Sequence, residues 1–251
     1  MKVSILELGA RFGAPHAALE EARTLLSAGP CDLALLPECS LTGYVSERGD
    51  FDLGRFAEAE AASTQIEALR ELARGAGCVV AGPFVEADGG RRYNGLVVVG
   101  PEGEILARYR KRHPWYPETW ASPGLQAHPT IVVGELTLTV AICFDIHFVE
   151  NEAADQLRFA DVLLFPSAWV DDEPGDGRAP ILERIARGYD ITVVNANWGP
   201  GRPSVRGQGR SRVVRPSGQS TILEGSGARL DVEISAAPSS PGPATSTTRR
   251  A

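Results

Sequence analysis

A chain of 251 residues is long enough to bury a substantial core, and its formal net charge of -7 argues against a general surface for nucleic acids or anionic membranes. Hydrophobic residues make up 43% of the sequence and charged residues 23%, the usual balance of a globular protein. No apolar stretch approaches the roughly 20 residues that span a bilayer, and the N-terminal apolar run is too short for a secretory signal. We therefore expect a cytoplasmic protein with no nucleic-acid and no membrane partner.

Strand and helix patterns alternate along the chain, which favours the α/β class. In the first half of the chain they predict, in order, a strand, a helix, a strand, a helix and two strands at 3–8, 15–27, 33–36, 63–74, 78–84 and 95–99. Ser63 stands where it can cap the second helix, and Gly75 or Gly77 ends that helix.

Three short turns between apolar segments predict β-hairpins. The turns are 101–104, 134–135 and 216–218, and the strands beside them are 95–99 with 105–109, 131–133 with 136–142, and 211–215 with 221–223. Between the last two hairpins the patterns predict a helix, a strand, a helix and a strand at 148–158, 162–165, 179–188 and 191–196. Two sheets packed face to face with helices outside accommodate both the buried strands and the antiparallel pairs.

No internal repeat and no linker interrupts the chain before its last segment, so we predict one domain over residues 1–235. The segment 236–251 contains no Val, Ile, Leu or aromatic residue and is rich in Pro, Ser, Thr and Ala. Such a composition cannot bury enough apolar surface to fold, which predicts a disordered tail.

The loop 199–212 combines four glycines with four arginines and lacks the Gly-Lys-Ser/Thr ending of a phosphate-binding loop. We expect a mobile, solvated loop, with an arginine that reaches the mouth of a pocket as the alternative. The four cysteines have neither the paired spacing nor the histidine neighbours of a zinc site, and reduced thiols suit the cytosol. Cys31, Cys39 and Cys78 are interpreted as packing residues.

The fourth thiol, Cys143, belongs to a set of three reactive side chains that each follow an apolar segment. Glu38 comes after 33–37, Lys111 after 105–109, and Cys143 ends the apolar run that starts near Thr130. A carboxylate, an ammonium and a thiol are the groups that a nucleophile with acid/base assistance requires. Their separations of 73 (111 − 38) and 32 (143 − 111) residues do not by themselves place them in contact.

The segments around these three residues carry a family resemblance. Leu35 to Tyr44, Tyr109 to Trp115 with Pro123-Gly124, and Ala141 to Glu150 resemble, in this order, the three motifs of the carbon–nitrogen hydrolases of the nitrilase superfamily. Later segments of that family are similar to 164–169, 194–197 and 209–218, so the resemblance covers roughly residues 2–234. Several motifs in the right order are a strong signal, whereas one motif alone is weak.

The resemblance implies a four-layer αββα sandwich, commonly paired with further subunits, without a metal or organic cofactor. It implies hydrolysis of a non-peptide carbon–nitrogen bond, in which a small-molecule amide and water give a carboxylic acid and ammonia or an amine through a thioester. Cys143 is then the nucleophile, and Glu38 the general base. Lys111 and the backbone N–H of Phe144 hold the oxyanion. A homodimer or higher homo-oligomer is expected.

Other residues in the matched segments are expected to support these three or bind substrate. Glu118 occupies the place of a second carboxylate that positions the lysine in the family, and the run around it looks most like the aliphatic amidase branch. His147 and Trp169 are expected to line or support the pocket. The supporting or substrate-binding set is Tyr44, Glu118, Phe144, His147, Trp169 and Asn197.

Departures from the family pattern favour an amide as the substrate. His147 stands where many relatives have an arginine that binds a substrate carboxylate, which weakens the alternative of an N-carbamoyl substrate. Phe144-Asp145 replace the Trp-Glu of many nitrile-cleaving members. A Cys143–His147 pair would give a different cysteine-hydrolase mechanism. A spacing of four residues does not by itself bring the two side chains into contact. An inactive ligand-binding protein on the same scaffold is the alternative from another class, although the three reactive residue types argue against it.

Overall fold

The computed structural model describes residues 1–46, 48–171, 175–224 and 228–236. The strands of this part are β1 (Lys2–Glu7), β2 (Leu33–Leu35), β3 (Glu58–Ala59), β4 (Val79–Asp88), β5 (Arg91–Val99), β6 (Ile105–Arg110), β7 (Ile131–Val133), β8 (Leu136–Val140), β9 (Val162–Pro166), β10 (Thr192–Ala196), β11 (Arg212–Val214), β12 (Ser220–Ile222) and β13 (Ala228–Glu233). The α-helices are α1 (Pro15–Ser27), α2 (Thr64–Ala76), α3 (Val149–Glu152), α4 (Ala154–Phe159) and α5 (Arg178–Tyr189).

The strands form two mixed sheets. One has the order β13-β1-β2-β4-β5-β6, with β3 beside β4, and the other has the order β12-β11-β10-β9-β8-β7. The parallel pairs β1–β2, β2–β4, β8–β9 and β9–β10 lie in the middle, and antiparallel hairpins extend each sheet outward. The parallel strands are therefore covered on both faces, as such strands require.

Alternation along the strands produces the four layers. In β2, Leu33 and Leu35 pack between the two sheets, whereas Ala34 packs against the layer of α1 and α2. In β9, Leu164 faces the space between the sheets, and Leu163 packs towards α4 and α5. The order helices, sheet, sheet, helices confirms the predicted αββα sandwich.

Local signals predict the long helices well. α1 matches its predicted bounds, with Pro15 at its first turn, where the missing N–H costs nothing. The hydroxyl of Ser63 accepts a hydrogen bond from the N–H of Ile66, so Ser63 is the N-cap of α2. Gly77 ends this helix with a φ of 63°, a left-handed conformation that glycine adopts without steric cost.

The three predicted hairpins are present as β5–β6, β7–β8 and β11–β12. A fourth hairpin joins β4 to β5 through Gly89-Gly90, and both strands are longer than predicted. Its outer end carries charged residues such as Arg91 and Arg92, so no apolar run marks this part of the hairpin in the sequence. Backbone pairing continues there because it needs no apolar side chain.

Two further differences concern polar or interrupted segments. The predicted helix 148–158 is two short helices, α3 and α4, because the backbone of Ala153 leaves helical values at φ −133° and ψ 28°. The edge strand β13 was not predicted, since only Val232 within it is buried, yet it pairs antiparallel with all of β1. Of the predicted tail, all but Ala236 lies outside the described residues. Within the described ranges, no helix has the length and apolarity needed to cross a bilayer.

Candidate active site

Glu38, Lys111 and Cys143 lie at the ends of strands from both sheets. Glu38 follows β2 by three residues, Lys111 directly follows β6, and Cys143 opens a 3-10 turn, Cys143–His147, after β8. Residues at the ends of neighbouring strands can point their side chains to one place, while the hydrogen bonds of the sheet hold the backbone fixed. The structure thus joins three positions that the sequence alone left unconnected.

Glu38 and Lys111 form a fully buried ion pair. The ammonium Nζ of Lys111 donates to Oε1 of Glu38 over 2.7 Å and to Oε2 of Glu118 over 2.6 Å. Neither side chain of the Lys111–Glu38 pair, nor that of Glu118, is exposed to solvent. A lysine held between two carboxylates has a fixed head group, which suits it to stabilise negative charge on a reacting oxygen.

Asn94, which the sequence analysis did not identify, lies between the same two carboxylates. Its Nδ2 donates to Oε1 of Glu38 and to Oε1 of Glu118, both over 2.7 Å. The thiol of Cys39 donates to Oδ1 of Asn94 over 3.6 Å and so fixes the orientation of the amide. The interpretation of Cys39 as a packing residue is therefore incomplete, because its thiol also orients the amide of Asn94. The available signal was a single uncharged polar residue inside the apolar strand β5, because a buried amide needs partners.

The backbone N–H of Ala168 positions the carboxylate of Glu38 beside a cavity that Cys143 lines. It donates to Oε2 of Glu38 over 2.9 Å, and its hydrogen bonding also acts to lower the pKa of the Cys143 thiol. Ala168 itself lines that cavity. Trp198 supports the same position, since its Nε1 donates to the backbone oxygen of Glu38 over 2.7 Å. Every residue except proline has a backbone N–H, so no side-chain pattern identifies this one.

The backbone of Cys143 has a φ of 44°, in the left-handed region that non-glycine residues seldom adopt. Buried Asp145 holds this turn: its Oδ2 accepts from the N–H of Ile142 over 3.2 Å and from the hydroxyl of Tyr109 over 2.8 Å. Its Oδ1 accepts from the N–H groups of Arg112 and His113 over 3.1 and 2.8 Å. One carboxylate thus ties the segment after Lys111 to the turn that carries the thiol.

Burial dominates the electrostatics of the three groups. It raises the pKa of Glu38, and the ammonium of Lys111 opposes part of that rise. For Lys111 burial favours the neutral amine, but Glu118 and Glu38 outweigh it and hold the pKa well above its usual value. Burial and the nearby Glu38 raise the pKa of the Cys143 thiol well above that of a free cysteine. The thiol is therefore protonated near neutral pH, and a thiol in this state can act as a nucleophile only with the help of a base.

A cavity of about 280 Å³ opens beside Cys143. Its lining includes Trp115, Phe144, His147, Trp169, Asp171 and Ile181. Three of the expected pocket residues, Phe144, His147 and Trp169, thus lie at its wall. Burial and the charge of Arg184 lower the pKa of His147, so its ring is neutral near neutral pH. His113 lies apart from this wall, stacked on Phe148 and hydrogen-bonded to Glu152.

Tyr44 does not line this cavity. It lies beside a separate void of about 20 Å³, which shares Ala168 and Trp169 as a wall, and its ring centroid is 5.9 Å from Nζ of Lys111. The buried hydroxyl of Tyr44 has no hydrogen-bond partner among the described residues. The void has the volume of about one water molecule, so it is too small for a substrate.

Asn197 connects the strand-end loop of Trp169 with the loop 199–212. Its Oδ1 accepts from the N–H of Trp169 over 2.9 Å, and its Nδ2 donates to the backbone oxygens of Gly207 and Gly209 over 2.8 and 3.0 Å. Arg212 is buried and bonded to Asp176. The expectation of a solvated loop 199–212 is wrong for Gly209, Ser211 and Arg212, which are buried, whereas most of 200–206 is exposed.

No group of three or more His, Cys, Asp or Glu side chains that could hold a metal ion is present among the described residues. The site consists of two carboxylates, an ammonium, an amide, a thiol and oriented backbone N–H groups. Such groups can transfer protons, form a covalent bond to a carbonyl carbon and stabilise an oxyanion.

Comparisons with known proteins agree with this chemistry. An (R)-stereoselective amidase of a Pseudomonas species is 30% identical over 224 residues, which are 87% of this chain and 79% of that protein. The omega-amidase of Homo sapiens is 28% identical over 197 residues, 73% of this chain and 69% of that protein.

Solved structures show the same fold. An amidase from Nesterenkonia has a TM-score of 0.80 at 28% identity, covering 93% of this chain and 90% of its own. A nitrilase-superfamily protein of Saccharomyces cerevisiae has a TM-score of 0.81 at 22% identity, covering 93% of this chain and 89% of its own, a similarity of fold alone. The family model of the carbon-nitrogen hydrolases matches residues 8–223. The chain therefore belongs to the carbon–nitrogen hydrolase family of the nitrilase superfamily.

Proposed function

We propose that this enzyme is an amidase that cleaves a non-peptide carbon–nitrogen bond through a thioester on Cys143. The observation that carries the proposal is that the Ala168 N–H donates to Oε2 of Glu38 over 2.9 Å, while Ala168 and Cys143 line the same cavity. The carboxylate of Glu38 is therefore held on the side of the thiol, where it can serve as its base. The adjacent ammonium of Lys111 supplies the positive charge that the developing oxyanion needs.

In the first half-reaction Glu38 takes the proton of the Cys143 thiol as the sulfur bonds to the amide carbon. The carbonyl π-electrons move to oxygen, and Lys111 and the N–H of Phe144 hold the resulting oxyanion. The intermediate then collapses: the carbon–nitrogen bond breaks, and the nitrogen leaves with the proton from Glu38. Ammonia or an amine departs and leaves a thioester.

In the second half-reaction Glu38 deprotonates water, whose oxygen attacks the thioester carbon. A second oxyanion forms at the same place, and its collapse breaks the carbon–sulfur bond. The sulfur takes back the proton, and the carboxylic acid leaves. Glu118 and Asn94 act through Lys111 and Glu38, because they hold these two groups in position. They are positioning residues in this scheme.

An amide is favoured over an N-carbamoyl amino acid by the cavity lining. No Arg or Lys side chain lines the cavity among the described residues, and His147 stands on its wall. A carboxylate on the substrate would therefore lose its hydration there without gaining a cationic partner. Turnover of an amide, a ureido compound and a nitrile built on one scaffold distinguishes the three reactions.

The direct test is Cys143→Ala, assayed with a panel of small primary amides and by intact mass of the wild-type protein during turnover. We expect a loss of kcat of roughly a thousandfold or more in the variant, and an acyl adduct on the wild-type thiol. Cys31→Ala is the matched control, since a hydrogen bond from Cys78 lowers the pKa of Cys31 to about 6 although it lies outside the site. Wild-type turnover by Cys143→Ala contradicts the proposal, and binding without turnover by the wild type favours the inactive scaffold.

Two expectations from the sequence stay predictions. A homodimer or larger homo-oligomer is tested by sedimentation of the purified chain, in which a single species at the monomer mass contradicts it. A cytoplasmic location is tested by cell fractionation. Neither bears on the order of events at Cys143.

A further inference from the structure

The cavity beside Cys143 combines aromatic rings with one carboxylate. Trp115, Phe144 and Trp169 line it, and the ring centroid of His147 lies 5.1 Å from that of Phe144 and 5.9 Å from that of Trp169. Aromatic faces attract a cation through the negative charge of their π-electrons, by about 0.5–2 kcal/mol in known cases. Grouped rings of this kind hold ammonium ligands in other proteins.

Asp171 supplies the carboxylate and is held in a fixed orientation. Its Oδ1 accepts from Nε1 of Trp169 over 2.7 Å and from the N–H of Gly177 over 3.3 Å. Its backbone N–H donates to the oxygen of Arg206 over 3.1 Å. No described residue donates a hydrogen bond to Oδ2, the second oxygen. Among the described residues, Oδ2 is thus left as an acceptor on a carboxylate that two hydrogen bonds to Oδ1 hold in place.

No cationic side chain lines the cavity beside this carboxylate among the described residues. The guanidinium of Arg178 is completely buried and lies 6.0 Å from the centroid of the Trp169 ring. It attracts Asp171 electrostatically but donates its hydrogen bonds elsewhere. It donates to Oδ1 of Asn195 and to the backbone oxygen of Gly209 over 3.1 and 2.9 Å.

The size of the cavity admits a small ligand. Its volume of about 280 Å³ far exceeds the roughly 10–15 Å³ that one water molecule needs, so a short-chain amide fits in it. One amide group on the thiol leaves room for a short chain with one polar group at its far end.

We infer that the amide substrate carries a positively charged amine at the end remote from the amide, bound between Asp171 and the aromatic rings of the cavity. This inference rests on the proposed function, because it places the amide carbon at Cys143. The ammonium then donates to Oδ2 of Asp171 and lies against the faces of Trp115 or Trp169. The cavity selects against an anionic substrate of the same size.

Three amides of nearly equal size test the inference: 4-aminobutanamide is cationic, pentanamide is neutral and succinamate is anionic. We expect kcat/KM to be about fivefold to tenfold higher for the cationic than for the neutral amide, and lower again for the anionic one. This preference shrinks at high salt, because ions screen the charge of a cavity open to solvent. A kcat/KM for pentanamide or succinamate at or above that of 4-aminobutanamide overturns the inference.

Asp171→Asn keeps the acceptor for Trp169 and removes the charge. It should lower the ratio of kcat/KM between 4-aminobutanamide and pentanamide by about fivefold. The matched control is Asp155→Asn, which removes the same charge from an exposed position in α4 and leaves the ratio unchanged. An unchanged ratio in Asp171→Asn contradicts the inference.

Binding to the Cys143→Ala variant, measured by calorimetry, separates this inference from the proposed function. The affinities of the three amides should follow the same order as kcat/KM, so 4-aminobutanamide should have the lowest dissociation constant, whether or not turnover occurs. Tighter binding of 4-aminobutanamide, with no turnover by the wild-type enzyme, supports the cation site and rejects the amidase. Equal binding of all three compounds rejects the cation site whatever the enzyme hydrolyses.

Discussion

Nδ2 of Asn94 lies 2.7 Å from Oε1 of Glu38, although 56 residues separate the two along the chain. The same nitrogen donates to Glu118, so one amide serves both carboxylates that face Lys111. Two carboxylates around a single ammonium leave excess negative charge in a buried site. The amide dipole offsets part of it and holds the Glu38 carboxylate towards the Ala168 N–H.

Replacing Asn94 by Leu should lower kcat/KM by roughly tenfold to a hundredfold, because each of two buried charged groups loses a hydrogen bond. The Asn94 bond lowers the pKa of Glu38, so its loss raises that pKa and moves the acid limb of the pH–rate profile to higher pH. The measurement is kcat/KM against pH.

Asn94→Asp is the informative companion to Asn94→Leu. It places a third carboxylate beside Glu38 and Glu118, so activity near neutral pH should fall further than in the leucine variant. A Leu variant with lower activity and an unmoved acid limb assigns Asn94 a purely structural role.

The pH dependence of the wild-type enzyme should show a broad plateau. The base must be ionised to accept the thiol proton, and burial raises the pKa of Glu38, so kcat/KM should rise through a pKa above the usual 4.3 or so of a glutamate. The pKa values of Cys143 and Lys111 are both raised well above normal, so the protonated thiol and ammonium persist on the alkaline side.

The profile is measured from about pH 4 to pH 10, and activity after return to neutral pH shows that the protein has stayed folded. A rise in activity with a midpoint near 8.5, the pKa of a free thiol, contradicts the scheme. Such a rise means that the thiolate forms by itself and that Glu38 is not its base.

Asp145 should support activity without touching substrate. Asparagine in its place offers one acceptor oxygen, and its NH₂ group then faces two of the four donors that Asp145 now binds. We expect Asp145→Asn to lower the free energy of unfolding by about 2 kcal/mol. It should lower kcat more than it changes KM, because the cysteine turn and the segment after Lys111 lose their common tie.

Urea unfolding and steady-state kinetics measure both effects. The exposed Asp155→Asn control should change the stability by less than about 0.5 kcal/mol. Wild-type kcat in Asp145→Asn, or a change confined to KM, contradicts the role of this carboxylate in holding the thiol.

Local chemistry made parts of the fold predictable from the sequence. Ser63 and Gly77 bracket α2 through hydrogen bonds and a backbone conformation that involve only near neighbours. The hairpin turns act over a few residues in the same way. The edge strand β13 was missed because its pairing with β1, more than 200 residues away, provides what its polar sequence does not.

The same distinction between local and long-range features applies to the residues of the candidate active site. Glu38, Lys111, Glu118 and Cys143 could be named in advance because each belongs to an ordered motif with a reactive side chain. Asn94 carries no motif, and the Ala168 N–H carries no side chain that distinguishes it. The left-handed backbone at Cys143 also could not be predicted, since cysteine has no preference for it.

The amino-acid sequence by itself determined the family, the layers of helices and strands, and the reactive groups. The tertiary structure alone decided that Glu38 hydrogen-bonds a residue of the cavity that Cys143 lines, that two carboxylates share one ammonium, and that Asp171 lines the same cavity. The physical reason is range: turns, caps and strands depend on neighbours in sequence. Hydrogen bonds across the site join groups from both sheets, whose separation only the packed core fixes.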